Sequence, residues 1–197
     1  NQHIGRGIGI YAQNLATYLP RVNKTIELTN ANPDLIHFPN FELFFLNLPF
    51  RKTCPWVVTV DDVIPLIYPD QFTAGIRGRL KFLIQNWNLH RAEAIITDSQ
   101  VSKRDIIKHL NIPDSKIHVV YLGVDKKFKP LDRNTNKSYI LYVGDVNYNK
   151  NLPALLEAFA LLNLPETQLV LASRVWHQSI TEVQNLKQQI HHLNITD

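Results

Sequence analysis

Short runs of β-branched and aromatic residues alternate along this chain with longer segments of helical period. That alternation limits the fold more than any other feature. Trp56-Val57-Val58-Thr59-Val60 is apolar throughout but for one threonine, the pattern of a parallel strand buried on both faces. Asp34-Leu35-Ile36-His37-Phe38 before Pro39, Ala94-Ile95-Ile96-Thr97 and Ile117-His118-Val119-Val120 read as further strands. Ile10, Leu15 and Leu19, with small Ala12 and Ala16, follow helical spacing until Pro20, which should stop the helix. Residues 75–91 read as a helix with Ile76, Leu80, Leu83, Ile84 and Trp87 on one face, and the pattern assigns that stripe to the core. Ser99 is placed to cap a helix running through Leu110. The series predicts parallel βαβ units in an α/β fold.

From Gly123 to Lys137 the chain is polar, carries Pro130 and reads as an interdomain linker. A second series follows: strand 139–143, helix 152–162, strand 168–172 and helix 179–193. Two strands and two helices are too few for a doubly wound domain. The expected division is a first domain over 1–129 and the start of a second, incomplete one over 130–197.

Composition narrows the function classes. Hydrophobic residues make up 45% and charged residues 19%, a globular balance. The net charge is +4, but no Lys/Arg run of nucleic-acid type appears, which argues against a nucleic-acid partner. One cysteine, Cys54, excludes an internal disulfide and a multi-cysteine metal site, and fits a reducing compartment. No apolar run reaches about 18 residues, so no membrane-spanning helix is expected. Arg77, Arg79, Lys81 and Arg91 give helix 75–91 a basic character, which would also suit contact with a membrane surface.

Three stretches carry candidate chemistry. Residues 138–151 read as a buried strand, a polar loop with Gly144 and Lys150, and a helix start. A loop at the carboxyl end of a parallel strand is where open α/β sheets bind ligands, and helix N-termini favour anions. Gly5-Arg6-Gly7-Ile8-Gly9 reads as a glycine loop, either a ligand approach or a turn needing positive φ. Asp61-Asp62 closes strand 56–60, where a carboxylate can bind hydroxyls, take a proton or cap the next turn. His37 weighs as structural. Arg174, with Trp176-His177, lies in the loop after strand 168–172.

Taken in order, several of these stretches resemble one family. They are Gly-Ile-Gly-Ile-Tyr (7–11), Asp-Leu-Ile-His-Phe-Pro-Asn (34–40), Thr-Val-Asp-Asp-Val-Ile-Pro-Leu-Ile-Tyr-Pro (59–69) and Ile-Ile-Thr-Asp-Ser (95–99). Lys-Ile-His-Val-Val-Tyr-Leu-Gly-Val-Asp (116–125) and the Tyr-Val-Gly…Asn-Lys-Asn loop (142–151) complete the set. The chain resembles the retaining glycosyltransferases of family 4, which have the GT-B architecture of two Rossmann-like domains.

The resemblance implies a nucleotide-sugar donor bound mainly by the second domain and a glycan or lipid-linked hydroxyl acceptor bound mainly by the first. The nucleotide-sugar is a substrate, so no cofactor or metal is implied. Lys150 matches the lysine that contacts the donor diphosphate, beside Gly144, Asp145 and Asn149. Gly7 and Gly9 match the glycine loop near the phosphates. Asp61 stands where many relatives have His against the transferred sugar, and Asp62 matches the family's Asp. Arg is common in relatives at the positions of Asp145 and Asn149, and Arg174 could compensate. The implied role is a cytoplasmic hexosyltransferase of polysaccharide biosynthesis, with membrane attachment at the inner face as the extension that helix 75–91 suggests. A non-catalytic nucleotide- or sugar-binding accessory chain is the alternative.

Overall fold

The structure, a computed structural model, describes residues 7–29, 31–125, 127–130, 138–164, 166–178 and 180–195. Gly5, Arg6, Lys126 and linker residues 131–137 lie outside them. The chain divides into two compact units, Asn1–Val124 and Asp125–Asp197.

The first unit is built on four parallel strands in the order β1-β2-β3-β4, at Ile36–Phe38, Trp56–Thr59, Ala94–Thr97 and Ile117–Val119. Consecutive parallel strands need crossovers, supplied here by α3 (Gly75–His90) between β2 and β3 and α4 (Gln100–Leu110) between β3 and β4. The β1–β2 crossover has no helix among the described residues. It puts Phe41, Leu43 and Leu48 into the core instead. Val58, Val60 and Ile95 have no exposed surface, so the central strands are buried as their continuous apolar runs require. Trp56 packs edge-on against Phe38, with ring centroids 5.6 Å apart.

Helix α1 (Gly7–Val22) and a short α2 (Ile64–Ile67) complete the unit. Pro20 does not stop α1. The helix runs past it to Val22, and the Asn23 N–H still reaches the Leu19 carbonyl at 3.0 Å. Proline removes only the bond to the Ala16 carbonyl, and Ala16 is exposed, so water can serve that oxygen.

Helix α3 departs most from the pattern. Ile76, Leu80, Leu83 and Trp87 are not core; they are 88, 60, 63 and 58% exposed. Its buried residues are Gly78, Gln85, Asn88 and Leu89. Gln85 accounts for the inversion. Its amide donates to the Glu42 carbonyl at 3.3 Å and accepts from the Leu48 N–H at 3.3 Å, so the inner face of α3 is occupied holding the β1–β2 crossover.

In the second unit β5 (Ser138–Val143) pairs in parallel with β6 (Thr167–Ala172) through α5 (Leu152–Leu162), and α6 (Thr181–His192) follows. Leu152, Leu156, Val183 and Leu186 cover one face, with Tyr142, Leu169 and Leu171 against them. Strand β5 is not the buried strand its sequence suggests. Tyr139, Leu141 and Val143 are exposed because no described element of this unit covers the other face.

Candidate active site

In the first unit the strand register builds the site. Thr59 pairs with Ile96, so two residues on, Asp61 and Asp98 stand side by side at the carboxyl ends of β2 and β3. Adjacent strands lie about 4.8 Å apart, close enough for like charges to be felt. Burial, then Asp98, then Asp62 push the Asp61 carboxyl from its ordinary 3.8 up to about 6. Near neutral pH Asp61 can therefore present both a proton donor and an acceptor, which a fully ionised surface aspartate cannot.

Beside this pair lies a hydrogen-bonded group drawn from three elements. The Thr59 hydroxyl, nearly fully buried, meets His37 Nε2 at 2.8 Å and Tyr11 Oη at 3.2 Å. Burial lowers the His37 pKa, so the ring is held neutral. The single Thr59 proton serves one partner and its lone pairs the other. This group ties the second turn of α1 to the ends of β1 and β2. On the far side, Ser99 caps α4 by accepting from the Ser102 N–H at 3.1 Å, and the Ser102 hydroxyl reaches Asp98 at 3.3 Å.

The other first-unit residues take lesser places. Asp62 accepts from the Ile64 N–H at 2.9 Å, which caps the turn into α2 and leaves it outside the half-buried pair of Asp61 and Asp98. Gly7 and Gly9 are not in a loop. Both belong to the first turn of α1, and neither has positive φ. A short glycine run followed directly by helical period is absorbed by the helix.

In the second unit Gly144 extends the ladder, its N–H meeting the Ala172 carbonyl at 3.1 Å. A Cβ there would sit 2.8 Å from Tyr142 Oη, which itself donates to the Asp145 carbonyl at 2.7 Å. Glycine thus lets the tyrosine hold the loop. A single 3-10 turn, Tyr148–Lys150, leads into α5 through Asn151 in the left-handed conformation (φ 48°). Asn151 makes no side-chain cap, so the first-turn N–H groups of α5 have no side-chain acceptor from it. Lys150 is exposed and makes no ion pair or hydrogen bond through its ammonium among the described residues. Val143 pairs with Ala172, so by register the Asp145 loop runs beside the loop bearing Arg174, which is also exposed. Asn149 lies within the 3-10 turn.

Asp98, Thr59 and Tyr11 were not singled out from the sequence, and His37 keeps a structural place, as a partner of Thr59. The available signal was a polar residue closing an apolar strand, Thr59 at β2 and Thr97-Asp98 at β3; Tyr11, on a helix, carried none. Among the described residues no three His, Cys, Asp or Glu side chains are grouped to hold a metal.

Parallel sheets whose polar residues gather at the carboxyl ends define an open α/β class, here a partial GT-B fold. Residues 11–128 match Glycosyltransferase Family 4, and residues 123–197 match Glycosyl transferases group 1. The chain belongs to this glycosyltransferase family. It is 22% identical over 185 residues to the serotype-specific mannosyltransferase WbdA of Escherichia coli, covering 83% of this chain and 23% of that protein. It is 30% identical over 100 residues to the O-antigen chain mannosyltransferase RfbU of Salmonella typhimurium, covering 51% of this chain and 27% of that protein. The chain thus spans about a quarter of the length of these curated relatives. The crystal structure of Anabaena HepE in complex with UDP-glucose shares the fold, with a TM-score of 0.58 at 19% identity, over 73% of this chain and 40% of HepE.

Proposed function

We propose that this chain supplies the acceptor-side unit and the diphosphate loop of a retaining hexosyltransferase. The donor is a nucleotide-sugar, and the acceptor is a glycan or lipid-linked hydroxyl in polysaccharide assembly. The observation that carries the reading is Lys150. Its ammonium is unpaired among the described residues, and it stands next to a helix N-terminus without a side-chain cap, after a parallel strand. Such a group neutralises charge that develops on a departing diphosphate. The mannosyltransferase relatives and the UDP-glucose complex of HepE support a hexose donor.

In the proposed reaction the bond from the anomeric carbon to the diphosphate oxygen breaks. A bond to the acceptor oxygen forms on the same face of the sugar. The acceptor proton passes to ionised Asp61, while Lys150 neutralises the diphosphate. Gly7, Gly9, Gly144, Asn149 and Arg174 serve as approaches or contacts for donor and acceptor, with Asp62 and Asp145 as candidate hydroxyl or base ligands. The reaction is placed on the cytoplasmic side, where nucleotide-sugars serve as donors and the free thiol Cys54 fits a reducing compartment.

Steady-state turnover of the full-length protein tests this reading. Lys150→Ala should lower donor turnover by about 10²-fold or more. NMR of the product should give the donor's anomeric configuration; the inverted anomer would remove the retaining assignment. Nucleotide binding without any transfer by the native protein would favour the accessory-chain reading, for which Asp145 and Asn149, in place of arginines, are the sequence grounds.

A further inference from the structure

The face of α3 turned away from the core carries an apolar stripe that the proposed chemistry does not use. At about 100° per residue, Ile76, Leu80, Leu83 and Trp87 fall within an arc of roughly 60°. Gly78, Gln85, Asn88 and Leu89 point the opposite way, into the unit. The helix is thus inverted: buried amides inside, large apolar groups outside. A soluble surface rarely gathers such groups without a purpose.

The patch continues onto the β1–β2 crossover, where Phe45 and Phe50 are also exposed. Lys81 Nζ sits 5.3 Å from the Phe45 ring centre, and Arg91 sits 4.6 Å from that of Trp87 while donating to the Phe50 carbonyl at 2.8 Å. Arg77 and Arg79 are exposed on α3 itself. Segment 75–91 holds no Asp or Glu.

We propose that this face seats the first unit on an anionic lipid surface, with α3 lying in the plane of the interface. The apolar stripe and Trp87 enter the headgroup boundary, and Arg77, Arg79, Lys81 and Arg91 reach lipid phosphates from its flanks. Charge selects this occupant over a second copy of the chain. A two-fold contact through the same face would set one copy's cations against the other's, with no acidic residue on α3 to answer them. The contact is peripheral, since no helix among the described residues is long and apolar enough to cross a membrane.

Co-sedimentation of the full-length protein with vesicles tests the proposal. Binding is expected to vesicles rich in phosphatidylglycerol and to be at least about tenfold weaker with pure phosphatidylcholine. Leu80→Glu with Trp87→Glu should weaken binding by about tenfold or more. Replacing Arg77 and Arg79 by Gln, both exposed on the helix, should weaken it several-fold, as should 0.5 M salt. In the native protein, Trp87 emission should shift to the blue with anionic vesicles only, identified by its absence in Trp87→Phe. No binding, binding indifferent to anionic lipid, or native-like binding by both variants would overturn the proposal. So would a dimer in sedimentation velocity that Leu80→Glu dissolves, which would give the face to a second copy.

Discussion

The two carboxyl edges are held in opposite ways. In the first unit, side chains hold one another: Thr59 joins Tyr11 to His37, and Ser99 and Ser102 lead to Asp98. In the second unit the backbone does the holding, through the Gly144 N–H and the Asp145 carbonyl, and the charged Lys150 and Arg174 are exposed. The first edge is assembled before any ligand arrives and is sensitive to protons. The second places cations that an anion would complete. In the proposed reaction the first edge would position a hydroxyl and the second would receive a highly charged leaving group.

The sheets behind these edges differ in the same sense, and packing variants should separate them most strongly. Ile95→Ala, in a fully buried strand of the first sheet, should cost about 2–5 kcal/mol. Leu141→Ala, on the open face of the second, should stay within about 0.5 kcal/mol. Denaturant unfolding measures both, and equal costs would erase the contrast.

Breaking the first edge at its centre comes next. Thr59→Val keeps the shape but removes both hydrogen bonds, leaving His37 and Tyr11 short of a partner. A loss of roughly 1–3 kcal/mol is expected in thermal or denaturant melts.

Asp61 should act in the other direction. The folded carboxyl keeps its proton up to about pH 6, whereas the unfolded one releases it near 3.8. Between those values the folded chain binds more protons, so stability falls as pH rises, and the cost is complete above about pH 6. Asp61→Asn removes that cost. It should stabilise the protein at pH 7.5 by roughly 1 kcal/mol once solvent screening is allowed for, while lowering turnover. The gain should fade as pH falls toward 4. A gain independent of pH would mean that burial and the neighbouring carboxylates are not its source.

Breaking the second edge should cost less than breaking the first. Tyr142→Phe removes one exposed hydrogen bond to the Asp145 carbonyl and should cost about 0.5–1 kcal/mol. A loss as large as that of Thr59→Val would show the second edge to be as tightly held as the first.

Much of this was legible in the sequence where the cause is local. Strand 94–97, the Ser99 cap and helix 152–162 lie where their patterns put them, since period and capping act within a few residues. The glycine run 7–9 misled because helical period, once established, extends back over permissive glycines. What escaped depends on distant residues. Tyr11 and Thr59 are 48 positions apart, and the pairing of Asp61 with Asp98 exists only through strand register. The α3 stripe misled because period shows that a helix has two faces but not which one meets the core. Gln85 decided that, by bonding a crossover about forty residues earlier in the chain.

In the proposed reaction Lys150 receives the donor diphosphate. Titration calorimetry of the full-length protein with uridine and guanosine diphosphates, native against Lys150→Ala, tests it most directly. The variant should bind the preferred nucleotide at least about tenfold more weakly, and the native affinity should fall as salt is raised. Equal affinity in the two proteins, with the fold intact, would contradict it.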